Sequence, residues 1–242
     1  MSDNGHPDYE AAFKDLNEEL DAMLYAFSHE VRAPLRSVEG FSQALEEDCA
    51  GDLSGMCLDY LNRIRKAVAT AENLIQAVLR VSRRTRGEMD IQDVNLSRLA
   101  GEVVTWLRKS YPDRAVEVDI QDGLWARMDL RLGRVLLEEL LSNSWRFTQG
   151  VSRPRVEFGM EDGDPPRFYV RDNGIGLPAG HGSGYLFGLF QVLHLEEGLS
   201  GQGTGLAVAR RVANRHGGSI GLGEQPETGA CFRFILPEAR RE

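Results

Sequence analysis

The chain has 242 residues, 42% of them hydrophobic and 27% charged, which is typical of a folded globular protein with one large domain or two small ones of at most about 150 residues each. Its 28 Lys and Arg residues against 37 Asp and Glu residues give a net charge of −9, which argues against nucleic acid or an anionic membrane surface as a partner, because such binding depends on basic contacts to phosphates. No apolar run is long enough to span a bilayer and the N-terminal segment MSDNGHPDYE is too polar for a signal peptide, so we expect a cytoplasmic protein without a membrane span.

The first third of the chain predicts two long helices joined by a short turn. Apolar residues recur at three- and four-residue steps along residues 16–45 and again along residues 58–81, which is the spacing of amphipathic helices. The segment between them, GDLSG at residues 51–55, is rich in turn residues. One hairpin cannot cover the apolar faces of both its helices, so we expect two copies to pair as a homodimer through a four-helix bundle.

Beyond a polar segment at residues 82–88, which we interpret as a linker, the pattern changes to short strands mixed with helices. The alternation predicts strands at residues 115–120, 124–128, 155–160, 167–171 and 231–236, and helices at residues 97–110, 130–147 and 206–216. This mixture predicts an α+β domain with helices on one face of a sheet. We therefore divide the chain into a helical domain at residues 1–88 and an α+β domain at residues 89–242.

A first candidate site lies on the first helix, in FSHEVRAPLR at residues 27–36. His29 lies about 180° around the helix from Leu20, away from the apolar stripe. Pro34 removes a backbone hydrogen bond and is predicted to bend the helix beyond the histidine. An exposed imidazole beside Glu30, whose carboxylate can accept a proton from one ring nitrogen, suits a nucleophile. A surface histidine on a charged helix face is the alternative interpretation of this segment taken alone.

A second candidate site lies in LLEELLSNSWRFT at residues 136–148, on the predicted helix 130–147. Glu139, Asn143 and Arg146 share one helix face, because Asn143 lies about one turn and Arg146 about two turns after Glu139. Two oxygen-bearing side chains one turn apart can hold a divalent ion such as Mg²⁺ through water, and an arginine can bind phosphate. The solvated face of an amphipathic helix would show the same pattern.

A third candidate site is VRDNGIGLP at residues 170–178. A predicted strand ends in Asp172, whose carboxylate can accept a hydrogen bond from an exocyclic amine such as that of adenine. Gly174 and Gly176 allow the backbone to approach a planar ligand closely. A hairpin turn is the alternative interpretation.

A fourth candidate site is GQGTGLAVARRVANRHGG at residues 201–218. Gly201, Gly203 and Gly205 stand at alternate positions directly before a predicted helix. Exposed amides at a helix N-terminus bind anions, and glycine permits close contact with phosphate. The segment has neither a Walker A lysine nor the Rossmann spacing, and a tight strand-to-helix turn is its alternative interpretation.

Together and in this order, the four segments resemble the H, N, G1 and G2 boxes of sensor histidine kinases. LFGLFQVLH at residues 186–194 resembles the F box that lies between the last two. The resemblance covers residues 27–237 and is closest to the phytochrome-like group, whose H box reads SHELRAPL. It implies a dimerisation and phosphotransfer hairpin followed by an α/β-sandwich ATP-binding domain of the Bergerat fold. It also implies a two-component protein-histidine kinase that passes its phosphoryl group to an Asp of a response-regulator receiver domain.

The same resemblance implies roles for individual residues. His29 would be the phosphoacceptor and Glu30 its proton acceptor, while Asn143 would bind Mg²⁺ and Arg146 would lie near the phosphates of ATP. Asp172 would bind the adenine amine. The other ATP-binding residues that the resemblance implies are Gly174, Gly176, Gly201, Gly203, Gly205 and Leu206.

Two site positions depart from the family pattern. Position 139 is usually Asn in these kinases, whereas the related hydrolysing ATPases have Glu there. We interpret Glu139 as a second Mg²⁺ ligand, and the alternative is that it activates water and causes futile ATP hydrolysis. Cys231 stands where the family has a Thr that helps to hold adenine.

The segment that would form the ATP lid also departs from the pattern. Residues 172–209 contain no Lys or Arg, and Tyr185 and Val192 stand where the family commonly has basic residues. His181 or His194 could supply part of the missing positive charge. A second hypothesis therefore stays open: a non-catalytic scaffold or histidine phosphotransferase with a degenerate lid, which regulates or is regulated by a partner kinase.

The length of the segment before the H box bears on how the protein receives its input signal. About 25 residues precede the H box, which is fewer than a sensory domain needs. We therefore expect the signal to arrive in trans from a separate sensory partner protein, unless the sequence is a piece of a longer chain.

Overall fold

The computed structural model of the chain describes residues 6–49, 52–177, 186–188 and 203–241. These residues form two compact units that divide between Arg86 and Gly87. The first unit is helical, and the second contains both strands and helices. Within the described ranges, no helix is both long enough and apolar enough to cross a membrane.

The first unit is a hairpin of two long helices, α1 at His6–Asp48 and α2 at Gly55–Thr85. α1 continues without interruption through Pro34. The two helices pack against each other, and Arg65 of α2 forms an ion pair with Glu46 of α1 at 2.6 Å. The two helices predicted from the apolar spacing are confirmed.

The C-terminal end of α2 extends further than the sequence predicts. The polar composition of residues 82–88 predicts a linker, yet residues 82–85 form the last turn of α2. In that turn the Thr85 hydroxyl donates to the Val81 carbonyl at 2.8 Å. Arg83 and Arg84 suit this position because positive charge near the carbonyl end of a helix is stabilising, so the linker prediction is wrong for these four residues.

The described side chains in the apolar stripe of α1 divide into two sets. Leu24, Val31 and Leu35 are half-buried, whereas Phe27, Val38, Phe41 and Leu45 are 42–73% exposed, with Val38 lowest and Phe41 highest. Exposed apolar side chains of α2 include Met56, Tyr60 and Ile64. The apolar surface of the hairpin is therefore wider than the contact between its own two helices.

The second unit contains two β-sheets and, among the described residues, three helices. Its strands are β1 at Ile91–Asn95, β2 at Glu117–Ile120, β3 at Leu124–Asp129, β4 at Arg155–Glu161, β5 at Arg167–Asp172, β6 at Ser219–Leu222, β7 at Cys231–Ile235 and β8 at Arg240–Arg241. Its helices are α3 at Leu96–Ser110, α4 at Leu130–Phe147 and α5 at Gly205–Arg215. One sheet has the antiparallel order β1-β3-β8. The other has the order β2-β4-β5-β7-β6, in which β2 and β4 are parallel and the other neighbours antiparallel.

Five strands and three helices of this unit lie within a few residues of their predicted positions. No strand is predicted at β1, β6 or β8. In β1 only Val94 is buried, so the strand lacks the alternation that identifies a half-buried strand. β6 is a four-residue edge strand that contains Gly221, and β8 has only two residues.

One face of the five-stranded sheet carries the core of this unit. Phe158, Phe168 and Phe234 lie side by side on β4, β5 and β7, with ring centroids 5.2–6.4 Å apart. Helices α3, α4 and α5 pack on that face. The opposite face is polar, with ion pairs such as Arg233–Glu161 at 2.9 Å. The predicted architecture, a sheet with helices on one face, is confirmed.

A buried polar cluster joins the start of α4 to the end of α5. The Asp129 carboxylate accepts hydrogen bonds from the amides of Leu132 at 2.8 Å and Asp90 at 2.9 Å, and the former bond caps α4. The Asp129 amide donates to Nε2 of His216 at 3.1 Å. Nδ1 of His216 therefore carries the proton and donates to the Val212 carbonyl at 2.8 Å. Burial lowers the pKa of His216, which keeps the ring neutral.

We predict that His216 makes the stability of this unit depend on pH. Its pKa in the folded state lies below the unfolded value of about 6.5, so the unfolded chain binds the proton more readily. The free energy of unfolding should fall, by at most about 1.4 kcal/mol per pH unit, as the pH drops from about 6.5 towards the folded pKa. The tryptophans at 106, 125 and 145 all lie in this unit, so tryptophan fluorescence of the full chain in urea measures its unfolding.

The variant His216→Gln should remove this part of the pH dependence, because a neutral amide can accept and donate in similar directions without titrating. His29→Gln is the matched control, since it removes an exposed histidine and should retain the wild-type profile. Equal pH profiles for wild type and His216→Gln would contradict the prediction.

Candidate functional site

Asp172 ends β5 with a carboxylate that is almost completely buried, with 4% of the residue exposed. Its Oδ1 accepts hydrogen bonds from the amides of Gly174 at 2.9 Å and Ala230 at 3.2 Å. Its Oδ2 accepts one from the Ser144 hydroxyl at 2.9 Å. Burial raises the pKa of this carboxyl, and the three donors oppose the rise. Because a carboxylate oxygen can accept two hydrogen bonds, Oδ2 retains capacity for a donor on a ligand.

The backbone after Asp172 makes a turn that only glycine fits. A Cβ on Gly174 would overlap the Phe147 carbonyl oxygen at the end of α4, and a Cβ on Gly229 would overlap the Asp172 carbonyl oxygen. Gly176 has a φ of 76°, a left-handed conformation that favours glycine. Gly229 is not among the predicted site residues. Its only sequence signal is that it lies two residues before the predicted strand at 231–236.

Glu139 and Asn143 face the first residue of α5. A Cβ on Gly205 would lie 2.6 Å from Oε2 of Glu139 and 3.5 Å from Nδ2 of Asn143, and both side chains are half-buried. The packing of α4 against α5 thus brings the polar stripe of the second candidate segment to the glycine turn of the fourth. A carboxylate and an amide side chain one turn apart fit a hydrated Mg²⁺ ion, and the adjacent start of α5 fits phosphate.

The remaining predicted residues fall in three places. Gly203, with a φ of 63°, and the half-buried Leu206 flank the start of α5. Arg146 borders a separate cavity of about 330 Å³ on the flank of α4, together with Tyr111 and Trp145. Gly201 lies outside the described residues, as do the lid positions 181, 185, 192 and 194. No feature of the described residues favours the second hypothesis, a non-catalytic scaffold or histidine phosphotransferase with a degenerate lid.

Cys231 lies on the face of the sheet opposite to Asp172. It pairs in register with Arg171, and its Sγ would be 2.7 Å from a Cβ on Gly223. Successive side chains of a strand point to opposite faces, so the expectation that Cys231 occupies an adenine-holding position is wrong. Ala230, the residue before Cys231, donates its amide to Asp172.

His29 and Glu30 belong to the first unit, and both are exposed. The exposure of His29 agrees with the expectation that this side chain faces solvent. The Tyr25 ring, one turn earlier on α1, lies with its centroid 6.4 Å from that of His29 at an interplanar angle of 41°. This contact follows from the one-turn spacing of Tyr25 and His29 but is not among the predicted features.

Two family models match the chain. The model described as the His Kinase A (phospho-acceptor) domain matches residues 19–87. The model described as the histidine kinase-, DNA gyrase B- and HSP90-like ATPase matches residues 128–240. The first match contains His29, and the second contains Glu139, Asn143 and Asp172.

Two curated relatives are each 30% identical to this chain over 227 residues. The alignment with cyanobacterial phytochrome B of Nostoc sp. covers 92% of this chain and 30% of the relative. The alignment with the methanogenesis regulatory histidine kinase FilI of Methanothrix harundinacea covers 91% of this chain and 25% of the relative. The chain therefore spans less than a third of the length of either relative.

Solved structures of histidine kinases have a similar fold. Full-length ShkA, solved in complex with AMPPNP, gives a TM-score of 0.56 at 23% identity, covering 91% of this chain and 46% of that chain. The mycobacterial sensor histidine kinase MprB gives a TM-score of 0.51 at 20% identity, covering 63% of this chain and 100% of that chain. The two family matches, the relatives and the fold agree, and the chain therefore belongs to the sensor histidine kinases as a transmitter module, with a phospho-acceptor hairpin followed by an α/β ATPase domain.

Proposed function

We propose that this chain is an ATP-dependent, two-component histidine kinase that autophosphorylates on His29 and then passes the phosphoryl group to an Asp of a response-regulator receiver domain. The observation that carries the proposal is the geometry of the second unit. There, the buried Asp172 ends one strand beside a glycine turn, and Glu139 and Asn143 face Gly205 across two packed helices. The first unit supplies an exposed histidine beside a carboxylate.

At the adenine end, Asp172 would accept a hydrogen bond from the exocyclic amine at Oδ2, which can accept a second donor beside Ser144. A carboxylate in a buried site makes a stronger hydrogen bond than one in water, because the local dielectric constant is lower. Gly174 and Gly176 would leave room for the flat base against the backbone. The Ser144 hydroxyl, which donates to Asp172, supports the charged form of the carboxyl and fixes its orientation.

At the phosphate end, ATP would supply the transferred γ-phosphoryl group, and Mg²⁺ would neutralise its charge. Glu139 and Asn143 are proposed to hold the metal, with Arg146 contributing positive charge from the flank of α4. The amides at the start of α5, including those of Gly203, Gly205 and Leu206, would face the phosphates. Gly201 is proposed to extend this set.

At the phosphoacceptor, a ring nitrogen of His29 would bond to the γ-phosphorus as the bond to the leaving ADP oxygen breaks. Glu30 would accept the proton from the imidazole, which keeps the attacking nitrogen nucleophilic. The exposure of both side chains supports this role, since the nucleophile must be reached by a bound nucleotide and later by a receiver.

We also propose that the hairpin forms a homodimer. The exposed apolar residues of the first unit, which include Phe27 at 64%, Phe41 at 73% and Met56 at 66%, form more apolar surface than an isolated hairpin normally leaves in water. A second copy would cover these side chains in a four-helix bundle.

The first prediction concerns the phosphoacceptor. Incubation with Mg²⁺ and ATP labelled in its γ-phosphate should give a protein label that is stable in alkali and labile in acid. His29→Gln should abolish the label, whereas His6→Gln, on the same helix but outside the H box, should retain it. A labelled His29→Gln protein would exclude the assignment. Nucleotide binding without labelling, combined with acceptance of phosphoryl from a phosphorylated receiver, would indicate a histidine phosphotransferase instead.

The second prediction separates the two roles of Glu139. If Glu139 holds the metal, Glu139→Gln should raise the Mg²⁺ concentration for half-maximal autophosphorylation by about tenfold, equivalent to about 1.4 kcal/mol. The neighbouring Glu138→Gln is the control and should change it by less than about twofold. A loss of ATP hydrolysis with unchanged Mg²⁺ dependence and unchanged labelling would assign Glu139 to water activation.

The third prediction concerns the turn after Asp172. Gly174→Ala should weaken binding of a fluorescent ATP analogue by about tenfold or more, because the new Cβ forces the Phe147 carbonyl to move, at a typical cost of about 1–3 kcal/mol. Gly101→Ala is the control, since its Cβ would meet no atom within 4 Å. Urea unfolding followed by tryptophan fluorescence shows whether each variant is folded. Wild-type affinity in folded Gly174→Ala would refute the proposed close approach.

A further inference from the structure

A second cleft lies in the ATPase domain, at the starting ends of β2 and β4. Because these strands are parallel, the connections that enter them, α3 to β2 and α4 to β4, meet at the same edge of the sheet. The cleft has a volume of about 620 Å³. It is lined by Arg108, Pro112, Arg114, Ala115, Val116, Glu117, Ser152, Arg153 and Pro154, none of which is a predicted nucleotide-site residue.

The charge in this cleft is positive, although the whole chain is acidic. The lining of the cleft contains three arginines and one acidic residue, Glu117. Among the described residues, the side chains of Arg108 and Arg153 have no hydrogen-bond or ion-pair partner. By contrast, the side chain of Arg155, two residues after Arg153, forms an ion pair with Glu157 at 3.1 Å. The cleft therefore holds two arginines whose donors are free.

Arg114 is the third arginine of the cleft lining, and it also lines the cavity that Arg146 borders. Its guanidinium donates to the Trp145 carbonyl and, at 3.2 Å, to the Thr148 hydroxyl, which are uncharged acceptors. Burial lowers the pKa of Arg114, which reflects the cost of partly desolvating its charge. An anion in the cleft would compensate that charge, since guanidinium pairs well with carboxylate and phosphate.

The rest of the lining suits an organic ligand. Pro112, Pro154 and the buried Val116 give the cleft an apolar wall. A volume of about 620 Å³ lies within the range of small-molecule pockets. A ligand with an apolar body and one phosphate or carboxylate group therefore matches both the wall and the arginines.

Hydrogen bonds connect this cleft with the turn at Asp172 along two routes. Asn173, the residue after Asp172, donates to the Arg153 carbonyl at 2.7 Å and accepts from the Arg155 amide at 2.8 Å. Along the second route, Arg114 donates to Thr148, and Thr148 donates to the Ser144 carbonyl at 2.8 Å. The Ser144 hydroxyl in turn donates to Asp172.

We propose that this cleft binds an organic anion, a phosphate or carboxylate on an apolar body, and that its occupancy tightens nucleotide binding at Asp172. The ligand would order the connections that hold Arg153 and Arg114, and through them the turn after Asp172. The binding part of the proposal stands independently, whereas the coupling rests on the proposed ATP-binding function. By thermodynamic linkage, the nucleotide must tighten binding of the anion by the same factor.

The test is calorimetric titration of the full chain with phenyl phosphate and with benzoate, which separate a phosphate source from a carboxylate source. At least one of them should bind at one site per chain. Inorganic phosphate, which lacks the apolar body, should bind at least about threefold more weakly, and neutral benzyl alcohol should not bind. Binding of neither aromatic anion would overturn the proposal.

Variants locate the site. The double variant Arg108→Ala and Arg153→Ala, at two exposed positions, should weaken binding of the aromatic anion by about tenfold or more. Lys109→Ala removes the same charge from the residue beside Arg108, outside the cleft, and should change affinity by less than about twofold. Unchanged affinity in the double variant would place the anion elsewhere and overturn the assignment.

A non-hydrolysable ATP analogue tests the coupling. Its affinity should increase by about threefold or more when the aromatic anion is saturating, within the usual range of allosteric coupling. Unchanged or weaker affinity would overturn the coupling, and displacement of the anion by the analogue would overturn the separate site. If the analogue does not bind at all while the double variant still loses anion binding, the proposed ATP function and the coupling fail but the cleft remains an anion site.

Discussion

The structure around the candidate site depends on one buried carboxylate. Asp172 accepts a hydrogen bond from Ser144 of α4, from Gly174 of its own turn, and from Ala230 at the start of β7. Burying a charge is costly unless donors surround it, so each of these three segments is held where it can supply a donor. Ser144 thereby connects α4, the helix that carries Glu139 and Asn143, to the end of β5.

Glycines make that arrangement possible. Gly174 and Gly229 pack backbone against backbone where any side chain would overlap a carbonyl oxygen, and the Ile175 amide reaches the Phe147 carbonyl at 3.1 Å. On the far side, Gly205 brings the start of α5 to Glu139. The same glycines that leave room for a ligand thus also hold the sheet against its helices, and this packing brings the second, third and fourth candidate segments together in the second unit.

Most helices and strands and the polar face of α4 could be predicted from the sequence, because the patterns that indicate them are local. The three- and four-residue apolar spacing predicted α1 and α2, and the spacing of Glu139 and Asn143 placed both side chains on one face. The failures arise where a property depends on distant residues. The face occupied by Cys231 depends on its register with Arg171, and the arginine cleft exists only because two connections meet at one edge of a sheet. Short strands such as β8 owe their existence to pairing with β3.

The exposed phenylalanines of the hairpin have a consequence for how the chain unfolds. The core of the ATPase domain lies within a single chain, since Phe158, Phe168 and Phe234 pack on one another. The free energy of unfolding of that domain should therefore not depend on protein concentration. If a second copy covers Phe27 and Phe41, the hairpin gains stability by mass action as the concentration rises. The two halves of one polypeptide would then respond differently to dilution, and dilution would melt the phospho-acceptor helices while leaving the ATPase domain folded.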